Sequence, residues 1–314
     1  MLRDKFFAVI IILTFSILMY NCSENKQDKP INKSSKLRVT STTGMITDAL
    51  NNIAGDKIEL VATICGPGID PHSYIPTTRD IVNINSSDLI IYNGLNLEAK
   101  MGEILGSQGK DKAFAIGTAI PKDSLINNSE KSNILDYDPH VWNSPMLWIY
   151  SLNMLIDVLV EKDPENADFY KTNGEKYIND IKEAYDYAKA KYSEIPQNRR
   201  VLISEHDAFQ YFAKAYDFQV MSVLGMNTDS EAGIRVIQQL SDFVVANQVK
   251  SAFIETIINQ KGIQALQNAV KSKKWEIKIA EKPLYSDALG QNPPTDTFIG
   301  TIIYNADVIY EALK

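Results

Sequence analysis

Two copies of one tripeptide stand out as candidate chemistry. Asp70-Pro71-His72 lies in GPGIDPHSYIPTTRDI, and Asp138-Pro139-His140 lies in DYDPHVW. The chain has only three histidines, and the third, His206, sits in SEHDAF. Neutral imidazole offers a lone pair near pH 7, which makes it a frequent metal ligand. Proline fixes its own φ and pushes the preceding residue towards extended backbone, so Asp-Pro-His can hold an imidazole stiffly. The carboxylates of Asp70 and Asp138 are then placed to accept a hydrogen bond from nearby backbone or from the ring. Asp287, in LYSDALG, is a fourth candidate, although an Asp in such a place also reads as a helix cap or a turn residue.

Spacing alone does not make these residues a metal site. No two histidines lie at the short separations of zinc fingers or of HExxH proteases, and a lone histidine near a loop is more often a surface or core residue. Their common setting is what counts. His72 follows the strand-like run IELVAT, His206 follows VLIS, Asp287 follows EIKIA, and His140 stands at a loop-to-helix junction. In open α/β sheets, ligands bind outside the strand ends.

The elements that must position them alternate along the chain. Leu37–Ser41, Ile58–Thr63, Asp88–Tyr92 and Ala113–Ile116 read as strands, with helices over Thr47–Ala54, Thr77–Ser86 and Leu97–Leu105. The pattern returns with strands at Val201–Ser204, Gln219–Val223, Ser251–Ile254 and Glu276–Ala280. Helices there fall at Ala208–Ala215, Glu231–Asn247, Lys261–Ser272 and Asp296–Leu313. Apolar strands separated by helices predict α/β architecture, two lobes each with a parallel sheet flanked by helices. Between them, Tyr170, Tyr177, Ile181, Tyr185, Ala188 and Tyr192 recur at helical spacing. This segment opens on Asp163-Pro164, a cap followed by proline, and runs to about Ser193. Some 30 residues of helix would span roughly 45 Å, one long backbone helix joining the lobes. Gly174 weakens its first turns. The expected division is 37–160 for the N-terminal lobe, 161–196 for the linking helix and 197–314 for the C-terminal lobe.

The N-terminus stands apart. Arg3 and Lys5 precede an apolar run from Phe6 to Tyr20 that closes on Cys22 in ILMYNC. The run is short for a spanning helix and reads as a secretory signal. A Cys closing it resembles a lipoprotein signal, with Cys22 lipidated, although Tyr20 and Asn21 stand where small residues are usual. Residues 1–22 are then a signal peptide and 23–36 a polar tether. Cys65, in LVATIC, is left as a single thiol that reads as a small buried hydrophobe. A formal charge of −7, about −8 once the signal is removed, gives no reason to expect nucleic acid as a partner. There is no phosphate loop and no tandem repeat.

GPGIDPHSYIPT, DLIIYNGLNLEAKMGEI, DPHVW, SEHDAFQYFAKAY, AFIET and YSDALG, in this order, resemble the TroA-like cluster of bacterial solute-binding proteins. These deliver zinc or manganese to ABC transporters, and the likeness runs from about residue 37 to 314. It implies a metal held between the lobes by two residues from each: His72 and His140 on one side, His206 and Asp287 on the other. Asp70, Asp138, Glu205 and Glu255 are candidates to support these ligands. Glu205 is also an alternative ligand, because some manganese carriers have Glu where His206 stands. The resemblance further implies an ABC permease with a cytoplasmic ATPase as partner, a lipid anchor in a bacterial membrane, an extracytoplasmic or periplasmic location and a monomer without catalytic activity. The cargo is one divalent ion; nitrogen-rich ligation favours zinc, with manganese next and ferrous iron third. Two other readings fit the residues less closely. One is an extracytoplasmic zinc hydrolase with Glu205 or Glu255 as its base; the other is a surface lipoprotein serving cell adhesion.

Overall fold

In the computed structural model, residues 36–127, 137–226, 228 and 232–314 are described. The signal peptide, Cys22 and all but the last residue of the tether lie outside the described residues. Among those described, no helix is long and apolar enough to cross a membrane.

The N-terminal half is built on β1 (Leu37–Thr43), α1 (Gly44–Ile53), β2 (Ile58–Cys65), α2 (Thr78–Ser86), β3 (Leu89–Tyr92), α3 (Gly102–Ser107) and β4 (Ala113–Ala115). The strands form one sheet in the order β2-β1-β3-β4, parallel at each pairing. Strand β1 buries Thr40, Ser41, Thr42 and Thr43. Buried hydroxyls need partners, and the first three find them: Thr40 on Ser87 at 2.7 Å, Ser41 on Thr47 at 2.6 Å and Thr42 on Glu98 at 2.6 Å. The helix expected over Leu97–Leu105 is instead a 3-10 turn, Ala99–Met101, running into α3. Glu98 explains the late start, because its carboxylate turns back to accept the backbone N–H groups of Asn93 and Gly94.

Helix α4 (Pro145–Lys162) leads to α5 (Ala167–Ser193), the long helix. Its 27 residues extend about 40 Å. Asp163 does not cap it through backbone; its carboxylate accepts from Asn166 and Tyr170 side chains, across a 3-10 turn at Pro164–Asn166. Gly174 has a packing reason: a Cβ there would collide with Ile156 of α4.

The C-terminal half holds β5 (Val201–Ser204), α6 (Gln210–Tyr216), β6 (Gln219–Ser222), α7 (Ile234–Asn247), β7 (Ser251–Ala252), α8 (Lys261–Ser272), β8 (Lys278–Ile279) and α9 (Phe298–Leu313). Strands β5 and β6 pair in parallel, as do β7 and β8. The backbone N–H of Phe253 donates to the Ile203 carbonyl at 2.7 Å and stitches the two pairs.

The cores cross the seam between the halves. The N-terminal core around Val39, Ile46, Leu89 and Trp148 also takes in Tyr211, Leu289 and Phe298. Along α5, Tyr170, Tyr177 and Ile181 serve this core, while Ala188 and Tyr192 serve the C-terminal one with Phe212 and Ile309. Leu37–Lys314 accordingly forms one compact unit.

Candidate metal centre

Each site residue stands just beyond a strand or bridge. After β2, the loop from Gly66 turns through Gly68, whose φ of +77° suits glycine. The side chain of Asp70 then folds over Pro71, and its Oδ1 accepts the backbone N–H of His72 at 2.9 Å. Asp70 Oδ2 accepts the hydroxyls of Ser73 (2.9 Å) and Thr228 (2.6 Å). Asp138 makes the same turn onto the His140 N–H at 2.9 Å, and its Oδ1 also meets the ring at Nδ1, 2.7 Å away. The Tyr211 hydroxyl donates to the Asp138 carbonyl (2.9 Å), and the Asn93 amide donates to that of Pro139 (3.1 Å). After β5, the His206 N–H donates to Glu255 Oε1 at 3.0 Å, and His206 Nδ1 lies 2.6 Å from Glu255 Oε2.

These supports turn three Nε2 atoms towards one carboxylate. His72 Nε2 is 3.0 Å from His140 Nε2 and 3.2 Å from Asp287 Oδ2. His206 Nε2 lies 3.0 Å from Asp287 Oδ2, and His140 Nε2 lies 3.7 Å from Asp287 Oδ1. All four groups converge within 4.8 Å. Around zinc, tetrahedral ligands at 2.0–2.1 Å stand about 3.3 Å apart, which these separations approach. His140 and His206 are fully buried, Asp287 is 1% exposed and His72 7%. A proton on Nδ1, facing Asp138 or Glu255, leaves Nε2 its lone pair for an ion.

The electrostatics without a metal are those of a proton-loaded cage. Burial lowers the His140 imidazolium, but Asp287 and Asp138 outweigh it and raise it to about 9. For His206 burial acts likewise, and Glu255 and Asp287 lift it well above its ordinary value. Burial wins at His72, which is lowered. Asp287 is pushed up by burial yet held well below the usual carboxylate range by His206 and His140.

The family model described as "Zinc-uptake complex component A periplasmic" matches residues 39–312. The chain belongs to this family. Among curated relatives, the manganese-binding lipoprotein MntA of Bacillus subtilis (strain 168) is 34% identical over 315 residues, covering 100% of both chains. The zinc-binding protein TroA of Treponema pallidum (strain Nichols) is 35% identical over 277 residues, 88% of each chain. The solved structure of periplasmic zinc-binding TroA superposes with a TM-score of 0.84 at 35% identity, covering 88% of this chain and 99% of that one. Fe(III)-bound YtgA from Chlamydia trachomatis gives 0.80 at 26% identity, over 88% and 98%. Members of the zinc-uptake component A family are metal-binding substrate-binding proteins of ABC transporters, not enzymes.

Set against this family, the hydrolase reading loses its bases as well as its precedent. Glu255 is engaged with His206. Glu205 does not face the cluster as a ligand or support: its carboxylate accepts the N–H groups of Gly262 (2.8 Å) and Ile263 (2.9 Å) at the start of α8. Unpaired N–H groups and the dipole favour an anion there. Gly262 is required by the fit, since a Cβ would strike Glu205 Oε1. Thr228, Tyr211 and Asn93 went unnoticed as supports of the Asp-Pro-His turns, and Trp142 as donor to the Ser286 carbonyl at 2.7 Å. Each lies far along the chain from its partner; the segments DLIIYNGLNLEAKMGEI, DPHVW and HDAFQYF, which contain Asn93, Trp142 and Tyr211, carried the resemblance, but nothing in them named the partners, and Thr228 lay in none.

Proposed function

We propose that this protein captures one divalent transition-metal ion between its two halves and delivers it to an ABC permease driven by a cytoplasmic ATPase. His72, His140, His206 and Asp287 are the ligands, Asp138 and Glu255 orient two of the imidazoles, and Asp70 holds the His72 loop. The observation that carries this reading is the convergence of three Nε2 atoms and a carboxylate within 4.8 Å, all buried. The protein acts as a monomer outside the cytoplasmic membrane, tethered by a lipid on Cys22.

Zinc is the first-ranked cargo, because a nitrogen-rich set of four suits a borderline-soft ion without geometric demands. Manganese ranks second and iron third; relatives bear names or titles of all three metals. Asp287 Oδ1, buried and without a hydrogen-bond partner, could complete a five-coordinate site for Mn²⁺. The test is to strip the protein freed of residues 1–22, offer Zn²⁺ and Mn²⁺ at equal concentration and count bound ions by mass spectrometry. One ion per chain, lost in His140→Ala, is expected. No stoichiometric metal, or metal indifferent to that change, would sink the reading.

A further inference from the structure

The resemblance implies two ligands from each lobe, but the fastenings of Asp287 divide differently. The residues before it belong to the C-terminal half. Leu284 N–H donates to the Ile254 carbonyl (2.8 Å), Thr256 N–H to that of Leu284 (3.1 Å), and Tyr285 N–H to Asn305 Oδ1 (3.1 Å). From Ser286 onwards the partners change. The Ser286 carbonyl accepts Trp142 Nε1–H at 2.7 Å. Leu289 lies in the N-terminal core, its Cγ 3.4 Å from where a Cβ on Gly44 would stand. Phe298 lies in that core too, and its N–H donates to Asp48 Oδ2 at 3.1 Å. Tyr177 of α5 donates to the same oxygen at 2.6 Å. Within the span, Gly290 N–H closes on the Thr295 carbonyl at 2.7 Å. Only later does α9 pass into the C-terminal core, through Ala306, Ile309 and Leu313. The backbone of His206 itself is held within the C-terminal half, with Glu255 taking its N–H and Ser204 Oγ–H donating to its carbonyl. The N-terminal half reaches this loop only from two residues on, where Asn143 donates to the Ala208 carbonyl (2.9 Å) and Tyr211 to that of Asp138.

Resting on the metal-carrier reading of the site, we propose that Asp287 is carried with His72 and His140, so that the ligands divide three to one. The Tyr285–Ser286 junction is the hinge. Movement of the C-terminal half withdraws His206 alone and leaves the ion on three ligands open on one side. Trp142 and Asp48 are positioning residues for the Asp287 carboxylate, one through the Ser286 carbonyl and the other through the first turn of α9.

Two measurements on the protein freed of residues 1–22 test this. Spin labels go in pairs on three exposed positions, Ser86→Cys in α2, Lys271→Cys in α8 and Gln291→Cys in the span. Removing zinc should shift the 86–271 and 271–291 distances and leave 86–291 unchanged. If 291 moves with 271, or if no distance moves, the proposal is overturned while the carrier reading stands. A chain that takes up no zinc overturns both. Zinc dissociation into a chelator should quicken about fivefold in Trp142→Phe and in Asp48→Asn, one hydrogen bond's worth each. Neither change should alter dissociation in an Asp287→Ala background. An equal acceleration there would show that they act elsewhere and refute the positioning role. Circular dichroism identifies a variant that fails to fold, in which case the other carries the test.

Discussion

Asp138 grips His140 twice, at the backbone N–H (2.9 Å) and at ring Nδ1 (2.7 Å), whereas Asp70 reaches only the backbone N–H of His72. Identical tripeptides thus do different work. Removing a carboxylate that orients a ligating imidazole costs about 10–100-fold in metal affinity. Asp138→Asn should weaken zinc binding by that much, and Asp70→Asn by clearly less. Competition against a chromophoric chelator measures both; equal losses would refute the distinction.

Metal loading should expel protons. With His140 raised to about 9 and His206 lifted well above its ordinary value, both rings hold protons at pH 7, while His72, lowered by burial, is neutral. A divalent ion replaces these two positive charges and leaves the charge of the buried cage unchanged, so about two protons should leave per zinc. Apparent affinity should climb with pH until the rings deprotonate unaided. Calorimetry in buffers of differing ionisation enthalpy gives the count. A release near zero at pH 7 would contradict the charge-exchange picture.

The metal-free protein should lose stability in alkali. A histidine raised by folding contributes fully below its ordinary value near 6.5, and that contribution disappears as pH rises through about 9. His72, lowered by burial, acts oppositely and costs stability as pH falls below 6.5. Thermal melts of the stripped protein should therefore peak near pH 6.5, fall progressively as pH rises towards 9 and level off above it. Zinc-loaded protein should not show the alkaline decline, since its rings carry no proton to lose.

Gly174→Ala should destabilise, against the usual helix preference. Alanine gains about 1 kcal/mol over glycine inside a helix. The added Cβ, however, would stand 2.8 Å from Ile156 Cγ1 and nearer still to Cδ1. Overpacking of this kind costs about 1–3 kcal/mol. Urea unfolding should show a net loss of about 1 kcal/mol, and a gain would mean that α4 yields freely.

What could be read from the sequence was local. The Asp-Pro-His turns are formed by adjacent residues, and the stiffness of proline announces them. The strands and the long helix declared themselves by apolar period. Glu255 was visible as a candidate in AFIET, but its partner, 49 positions away, was not. Glu205 misled by adjacency: it neighbours His206 in the chain, yet the strand end turns its carboxylate towards α8. Asp48 offered no signal, because an acid in a helix reads as solvated until Tyr177 and Phe298, from two distant elements, close around it.

All three histidines of the 314-residue chain belong to the one cluster. Selective isotope labelling of histidine would therefore give a nuclear magnetic resonance spectrum with three imidazoles and no background. Ring nitrogen shifts distinguish a protonated, a neutral and a metal-bound ring. Such a spectrum could follow the loading of each ligand separately in an intact cell envelope, where most proteins would bury the signal under their surface histidines.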